Sequence, residues 1–235
     1  MTYGDRTRGE TTKADGVYLE MRNQILYGVL EPGSRIDYVQ LSAALGVSIT
    51  PLREALRRLE ADHLVIRIAH RDVIVAPLTR EEASELVQVR RELDLLAARL
   101  AAAQMTGDEL AAARGLVAGQ DDREALRYLR EAGLPVAVGG PLSVSRAFHR
   151  MVYCGSHNQV LIQYRDALST RTERYVILAR QLSAVPAEAY RPMHSRLLAA
   201  LEARDAAAAE DMMGAHYREL DLNFADVIFG AAPGG

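Results

Sequence analysis

Two sets of residues in this 235-residue chain have the types and spacing to do chemistry. The first is the arginine group of "ALGVSITPLREALRRL", residues 43–58, which holds Arg53, Arg57 and Arg58. A guanidinium presents forked donors that match phosphates, carboxylates and guanine edges. Arg53 and Arg57 stand four apart and share one face of a helix. The same pattern also describes an ordinary solvated face, and Lys13 as the single lysine equally fits a coding bias toward arginine. The second set lies among the six histidines, His63, His70, His149, His157, His194 and His216. His194 and His216 flank a turn expected around Arg204–Asp205, one about ten residues before it and the other about eleven after it. At about 1.5 Å per residue both lie roughly 15–17 Å from the turn, so antiparallel helices bring them to one level. His149, from "PLSVSRAFHRMVY", is a possible third. Three inward imidazoles from three helices would hold a transition metal. Spacing alone favours the plainer reading, in which each imidazole is satisfied in a core or at its rim.

The elements that must position these groups can be read from periodicity. In "DGVYLEMRNQILYGVL", Val17, Met21, Ile25 and Val29 recur at four-residue steps, the apolar face of a helix. Pro32 and Gly33 break it. Asp37, three residues before Gln40, has the pattern of an N-cap. A short helix follows through Leu41 and Ala44 and stops at Gly46. Ser48 or Thr50 caps the next helix, with Pro51 in its first turn and Leu52, Ala55, Leu56 and Leu59 inward. After Leu64 the period changes to two, and "VIRIAHRDVIVAPL" predicts a two-stranded hairpin. Three helices and a hairpin follow the order of a winged helix-turn-helix, with the helix after the Gly46 turn as recognition helix and the hairpin as wing. From Thr79 onward the pattern is helical: a long helix from 79, then helices over 106–118, 121–132, 141–154, 158–182, 186–203 and 205–228, with "AGLPVAVGGP" (132–141) as an irregular interruption. The fold expected is mainly α, a winged helix-turn-helix followed by an all-helical bundle of six to seven helices. The domains expected are a flexible terminus over 1–13, a winged helix-turn-helix over 14–78, a helical domain over 79–229 and a loose tail over 230–235.

Bulk composition sets limits. The chain is 49% hydrophobic and 25% charged, ordinary for a globular protein. The net charge of −3 does not by itself announce a nucleic-acid binder. Residues 1–78 hold ten basic and ten acidic side chains, so any grip on DNA depends on local clustering. Cys154 is the only cysteine, which excludes an intrachain disulfide and a cysteine zinc cluster. No apolar run is long enough to span a bilayer, and the first residues lack an apolar signal core, so a cytoplasmic location is expected.

The stretch "LEPGSRIDYVQLSAALGVSITPLREALRRLEADHLVIRIAHRDVIVAPLT" resembles the DNA-binding domain of GntR-family bacterial regulators. Further on, "VRRELDLLAARLAA", "FHRMVYCGSHNQVL", "HSRLLAALEARD" and "AHYREL" resemble the helical ligand-binding domain of the FadR branch, the FCD type. The resemblance covers roughly residues 14–228. It implies a homodimeric transcription regulator, a repressor, that binds a palindromic operator and responds to a small metabolite in its C-terminal domain. It implies DNA contacts from Arg35, Ser48, Ile49, Thr50, Arg53, Arg57, His70 and Arg71. It makes His149, His194 and His216 ligands of a divalent transition metal, zinc or nickel, and Arg90 a pocket arginine suited to an organic carboxylate. Tyr153 and Asn158 either line that pocket or simply pack.

Three departures from the family pattern matter. The recognition helix usually opens Ser-Arg-Thr-Pro; here it is Ser48-Ile49-Thr50-Pro51, so the usual guanine-reading arginine is an isoleucine, which can touch a thymine methyl but makes no forked hydrogen bond. The wing tip, usually glycines around a basic residue, is His70-Arg71-Asp72, and Asp72 disfavours a nearby phosphate unless Arg71 pairs with it. The aspartate expected one turn before the first histidine ligand is Ser145, which takes a negative charge from the metal set. Two alternatives stand beside the regulator reading: a metalloenzyme in which the three histidines activate a water, and a regulator that binds DNA without an effector.

Overall fold

The computed structural model describes residues 12–68, 72–118, 142–182, 191–219 and 224–230. Contacts divide the chain into two compact units: Met1–Thr79 together with Thr170–Leu178, and Arg80–Ser169 together with Ala179–Gly235.

In the first unit, α1 (Lys13–Leu26), α2 (Tyr38–Leu45) and α3 (Ile49–Ala61) precede the strands β1 (Val65–Ile68) and β2 (Asp72–Val75). The caps follow the sequence closely. Thr12 and Asp15 form a capping box on α1, and the Asp37 carboxylate accepts from the N–H groups of Val39 and Gln40 at the start of α2. Gly46 ends α2 at φ 63°, the left-handed conformation that glycine adopts without a Cβ clash. Val17, Met21 and Ile25 are buried as the four-residue step requires, but Val29 is 70% exposed. The helix has already ended at Leu26, and Gly28 turns the chain at φ 76°. The core joins these three residues to Leu52, Ala55, Leu56 and Leu59 of α3 and to Val65, Val73 and Val75 of the hairpin. β1 and β2 pair antiparallel, Val65 opposite Val75 and Ile68 opposite Asp72. A third short edge forms where Arg35 bridges Ile74 and Ile36 N–H donates to the Val73 carbonyl at 2.8 Å. Within this unit Arg22 also pairs with Glu173 at 2.6 Å.

The second unit is built of α4 (Arg80–Gln104), α5 (Gly107–Ala118), α6 (Leu142–Gly155), the ends of α7 (Gln159–Leu182), α8 (Arg191–Glu202), α9 (Ala206–Glu219) and α10 (Phe224–Phe229). The helix expected over 121–132 and the "AGLPVAVGGP" stretch fall outside the described residues. The helix expected over 205–228 is described as α9 and α10, with 220–223 outside the described residues. Ala97, Ala98, Ala101 and Ala102 give α4 a smooth buried stripe, which lets α9 and α6 approach its axis closely. Phe148, Met151, Leu197, Leu201 and Met213 fill the remaining core. The turn between α8 and α9 lies at Ala203–Asp205. Arg204 takes φ 59° there, and its guanidinium donates to the Ala102 and Met105 carbonyls at 3.3 and 2.5 Å. Among the described residues no helix is long and apolar enough to cross a membrane.

Candidate functional site

The α3 surface carries the first candidate set. Its buried side is apolar, so Ile49, Thr50, Arg53 and Arg57 are left on the outside. Ile49, 41% exposed, is the first residue of the helix. Ser48 occupies the N-cap position but makes no side-chain cap bond, so its hydroxyl is not spent on the helix. Among the described residues, Arg53 and Arg57 have no ion-pair partner. Arg58 differs: it pairs with Asp15 at 2.5 Å and lies over the Tyr18 ring at 4.2 Å, a fixture of its own domain. Arg35 is exposed and ion-paired with Asp72. The pairing of Asp72 with Arg71, the condition set by the sequence, thus has a described counterpart in Arg35. His70 and Arg71 lie outside the described residues. His63 stands just past α3 at φ 57°, where the Leu64 and His63 N–H groups close back on Leu59 and Glu60.

The second candidate set is brought together. His149 of α6, His194 of α8 and His216 of α9 are all buried, and each offers a ring nitrogen within 4.8 Å of the others. Ring centroids stand 5.2 Å apart for His149–His194, 4.8 Å for His149–His216 and 5.5 Å for His194–His216. Phe148 lies against His194 at 4.8 Å. Burial is the main influence on their protonation. It holds His194 down to about 4, helped by Arg180. It holds His216 down to about 3, helped by His194 and Arg90. His149 is pushed well below the ordinary histidine range by burial, then by the other two histidines and by Arg90 and Arg165. All three are therefore neutral imidazoles near pH 7, the form that ligates metal. His149 Nδ1 and His194 Nε2 are buried with no hydrogen-bond partner among the described residues, which is costly unless something occupies the space between them.

The surroundings are charged. Arg90 is buried and lies 3.5 Å from Asp94, one turn further along α4. Asp94, fully buried, also accepts from Arg165 Nε at 3.3 Å and from the Tyr217 hydroxyl at 2.6 Å. Arg165 stacks over the Tyr153 ring at 4.7 Å, and the buried Tyr153 hydroxyl has no partner among the described residues. Ser145 is half-buried one turn before His149, and among the described residues no carboxylate joins the three histidines. Asn158 is a helix cap: its Oδ1 accepts from Leu161 N–H at 3.1 Å at the start of α7. Within the first unit, Arg174 donates to the Ala76 carbonyl. Sequence reasoning missed Asp94, Arg165 and Tyr217. Only Asp94 left a trace, as the acidic partner of Arg90 at i+4.

Comparison with known proteins converges on one family. The model described as bacterial regulatory proteins, gntR family, matches residues 13–75, and that of the FCD domain matches residues 85–219. The chain is 31% identical over 88% of its length, and 86% of the other's, to a protein of Paenarthrobacter nicotinovorans named "Probable D-xylose utilization operon transcriptional repressor". It is 28% identical to the HTH-type transcriptional repressor GlaR of Escherichia coli, over 87% of this chain and 92% of that one. The solved structure of Escherichia coli McbR/YncC has the same fold, with a TM-score of 0.66 at 24% identity over 92% of this chain and 98% of that one. The metalloenzyme alternative is thereby overturned, since the family and these relatives are regulators rather than enzymes. The winged helix-turn-helix, the helical bundle that follows it in the sequence and both family matches make this chain a transcription regulator of the GntR family with an FCD domain.

Proposed function

We propose that this regulator is a repressor that binds a palindromic operator as a homodimer and changes its grip on DNA when a small organic carboxylate enters the C-terminal unit beside a divalent transition metal. The observation that carries the reading is the pair of buried, partnerless nitrogens, His149 Nδ1 and His194 Nε2, in a cluster of three neutral imidazoles. This donor set fits zinc or nickel held by His149, His194 and His216 with a position left open. The metal would supply a Lewis-acid partner for a carboxylate oxygen, and Arg90 would donate to the same anionic end. On DNA, Arg53 and Arg57 grip phosphates, Ser48 and Thr50 position the start of α3, and Ile49 meets a thymine methyl in place of a guanine edge. Arg35, His70 and Arg71 complete the DNA-facing set at the wing. The effector switches the protein only if it binds the DNA-competent and DNA-incompetent dimers with different free energies.

A second reading, DNA binding that no effector controls, draws on Ser145, because a neutral side chain beside the histidines removes one anionic ligand. Metal analysis of the purified protein and of His194→Ala, followed by operator binding with and without carboxylates, separates the two. The expected result is about one metal per chain in the wild type, none in the variant, and an operator affinity that shifts with carboxylate. A metal-free wild type whose operator binding ignores every carboxylate would sink the first reading.

A further inference from the structure

The turn between α2 and α3 carries a hydrogen bond that ending a helix does not require. The Val47 N–H donates to the Ser42 carbonyl at 3.1 Å and the Gly46 N–H to the Ala43 carbonyl at 3.3 Å, so backbone bonds alone close α2 at its left-handed glycine. The Ser42 hydroxyl then donates to the Val47 carbonyl at 2.5 Å. A serine inside a helix ordinarily turns its hydroxyl back to the carbonyl one turn earlier; this one reaches forward across the turn. Val47 is thus held by its N–H, by its carbonyl and by its side chain, which packs against the core of the first unit. The Val47 carbonyl and the Ser48 N–H belong to one planar peptide. Gripping that carbonyl therefore fixes the plane from which α3 starts. Ser48, at the N-cap, adds no side-chain bond of its own. A cap hydroxyl usually orders the first turn of its helix; here the ordering hydroxyl belongs to Ser42, on the preceding helix, and that of Ser48 is left for a partner.

We propose that Ser42 is a positioning residue for operator recognition: through Val47 it sets the entry of α3, and with it the aim of Ser48 and Ile49 at the DNA. The inference rests on the reading that the start of α3 faces DNA. Ser42 touches neither base nor phosphate in this role. Operator contacts depend on alignment, whereas non-specific binding is carried by charge, through Arg53 and Arg57. Without the hydroxyl the turn samples other arrangements, and operator affinity falls with the share of molecules that are misaligned. The net worth of one hydrogen bond, about two- to tenfold in an equilibrium constant, bounds the loss in each half-site.

Fluorescence anisotropy with the full chain tests the proposal, on the operator recovered by selection from random DNA and on a scrambled duplex of the same length. Ser42→Ala is expected to lower the ratio of operator to scrambled affinity by about threefold or more, with the salt slope on scrambled DNA unchanged. Ser42→Thr, which keeps the hydroxyl, should restore the ratio. Ser42→Ala and Ser48→Ala combined should cost less than the sum of the two alone, because a Ser48 hydroxyl that is no longer aimed has less to lose. A Ser42→Ala protein that melts earlier but keeps the wild-type ratio overturns the proposal, since the bond would then serve stability only. Failure of Ser42→Thr to restore the ratio overturns it too, as does strict additivity with Ser48→Ala. An inert Ser42→Ala beside an effective Ser48→Ala overturns the role of Ser42 alone; an inert Ser48→Ala overturns the DNA-facing reading of the start of α3, and this inference with it.

Discussion

Arg35 and Asp72 are ion-paired across the edge of the wing. The backbone arranges it: Arg35 bridges Ile74, and Asp72, two residues earlier on β2, shares the face of Ile74 and is diagonal to Arg35. An exposed pair of this kind adds little to stability, but it neutralises an arginine that would otherwise be free for phosphate. Asp72→Asn should therefore tighten binding to operator and non-operator DNA alike. The slope of log affinity against log salt should steepen by about 0.9, one further phosphate contact. Arg35→Gln should weaken binding and flatten the slope. An Asp72→Asn slope equal to that of the wild type would show that Arg35 grips no phosphate once released.

Ile49 opens α3 with its side chain exposed and no polar atom to offer a base. Ile49→Arg should move the preferred base at one operator position toward guanine, by about 1–3 kcal/mol. Selection from random DNA with both proteins reads this directly. If both recover the same half-site, Ile49 does not face the bases.

Ser145 stands one turn before His149 and offers no charge. Ser145→Asp should raise zinc affinity by at least about tenfold, as expected of a fourth ligand worth about 1.4 kcal/mol or more. Competition against a chelator of known affinity measures it. No change would mean that position 145 stands outside the proposed metal set.

The Tyr18 hydroxyl donates to Asp62 at 2.5 Å. Burial first, and Asp62 second, push this phenol up to about 12. A raised folded-state pKa adds stability that is complete below the unfolded value, near 10, and is lost as the pH rises through 12. Because the group is only half-buried, the loss should be on the order of 1 kcal/mol. Urea melts at pH 8, 10 and 11.5 should show it, and Tyr18→Phe should lose less over the same interval.

His63 holds a left-handed conformation, φ 57°, at the position that follows the end of α3. Gly46 meets the same demand after α2 with no Cβ to strain. His63→Gly should accordingly stabilise the first unit by about 0.5–1 kcal/mol, the strain removed less the entropy that glycine adds to the unfolded chain. Thermal melts decide this, and a lower melting temperature would mean that the imidazole makes a contact worth more than the strain.

These residues also mark what the sequence makes legible. Local signals transfer well: Asp37 caps, Gly46 terminates, and the change of period after Leu64 becomes a hairpin, because each depends on neighbours within a turn. Val29 misleads because the four-residue step continues past the place where Gly28 ends the helix. The level pairing of His194 and His216 is legible because one turn and a constant rise per residue fix it. The buried charges are not. Arg165, in "QYRDAL", reads as one more arginine on a long helix, and its burial depends on Asp94, 71 residues away. Asn158, read as a pocket candidate, carries a signal in plain view: an asparagine directly before an apolar helix is a cap.

The guanidinium of Arg204 does more than close a turn. It fastens the α8–α9 hairpin to the end of α4, so the helices that carry His194, His216 and Arg90 are counted from one shared origin. Measured from that origin, position along a helix is also an angle, and each residue advances it by about 100°. One residue inserted between His194 and Arg204, or between Asp205 and His216, swings an imidazole more than a quarter turn out of the cluster. Substitution can give this pocket a new ligand; a change of length in the hairpin can only dismantle it.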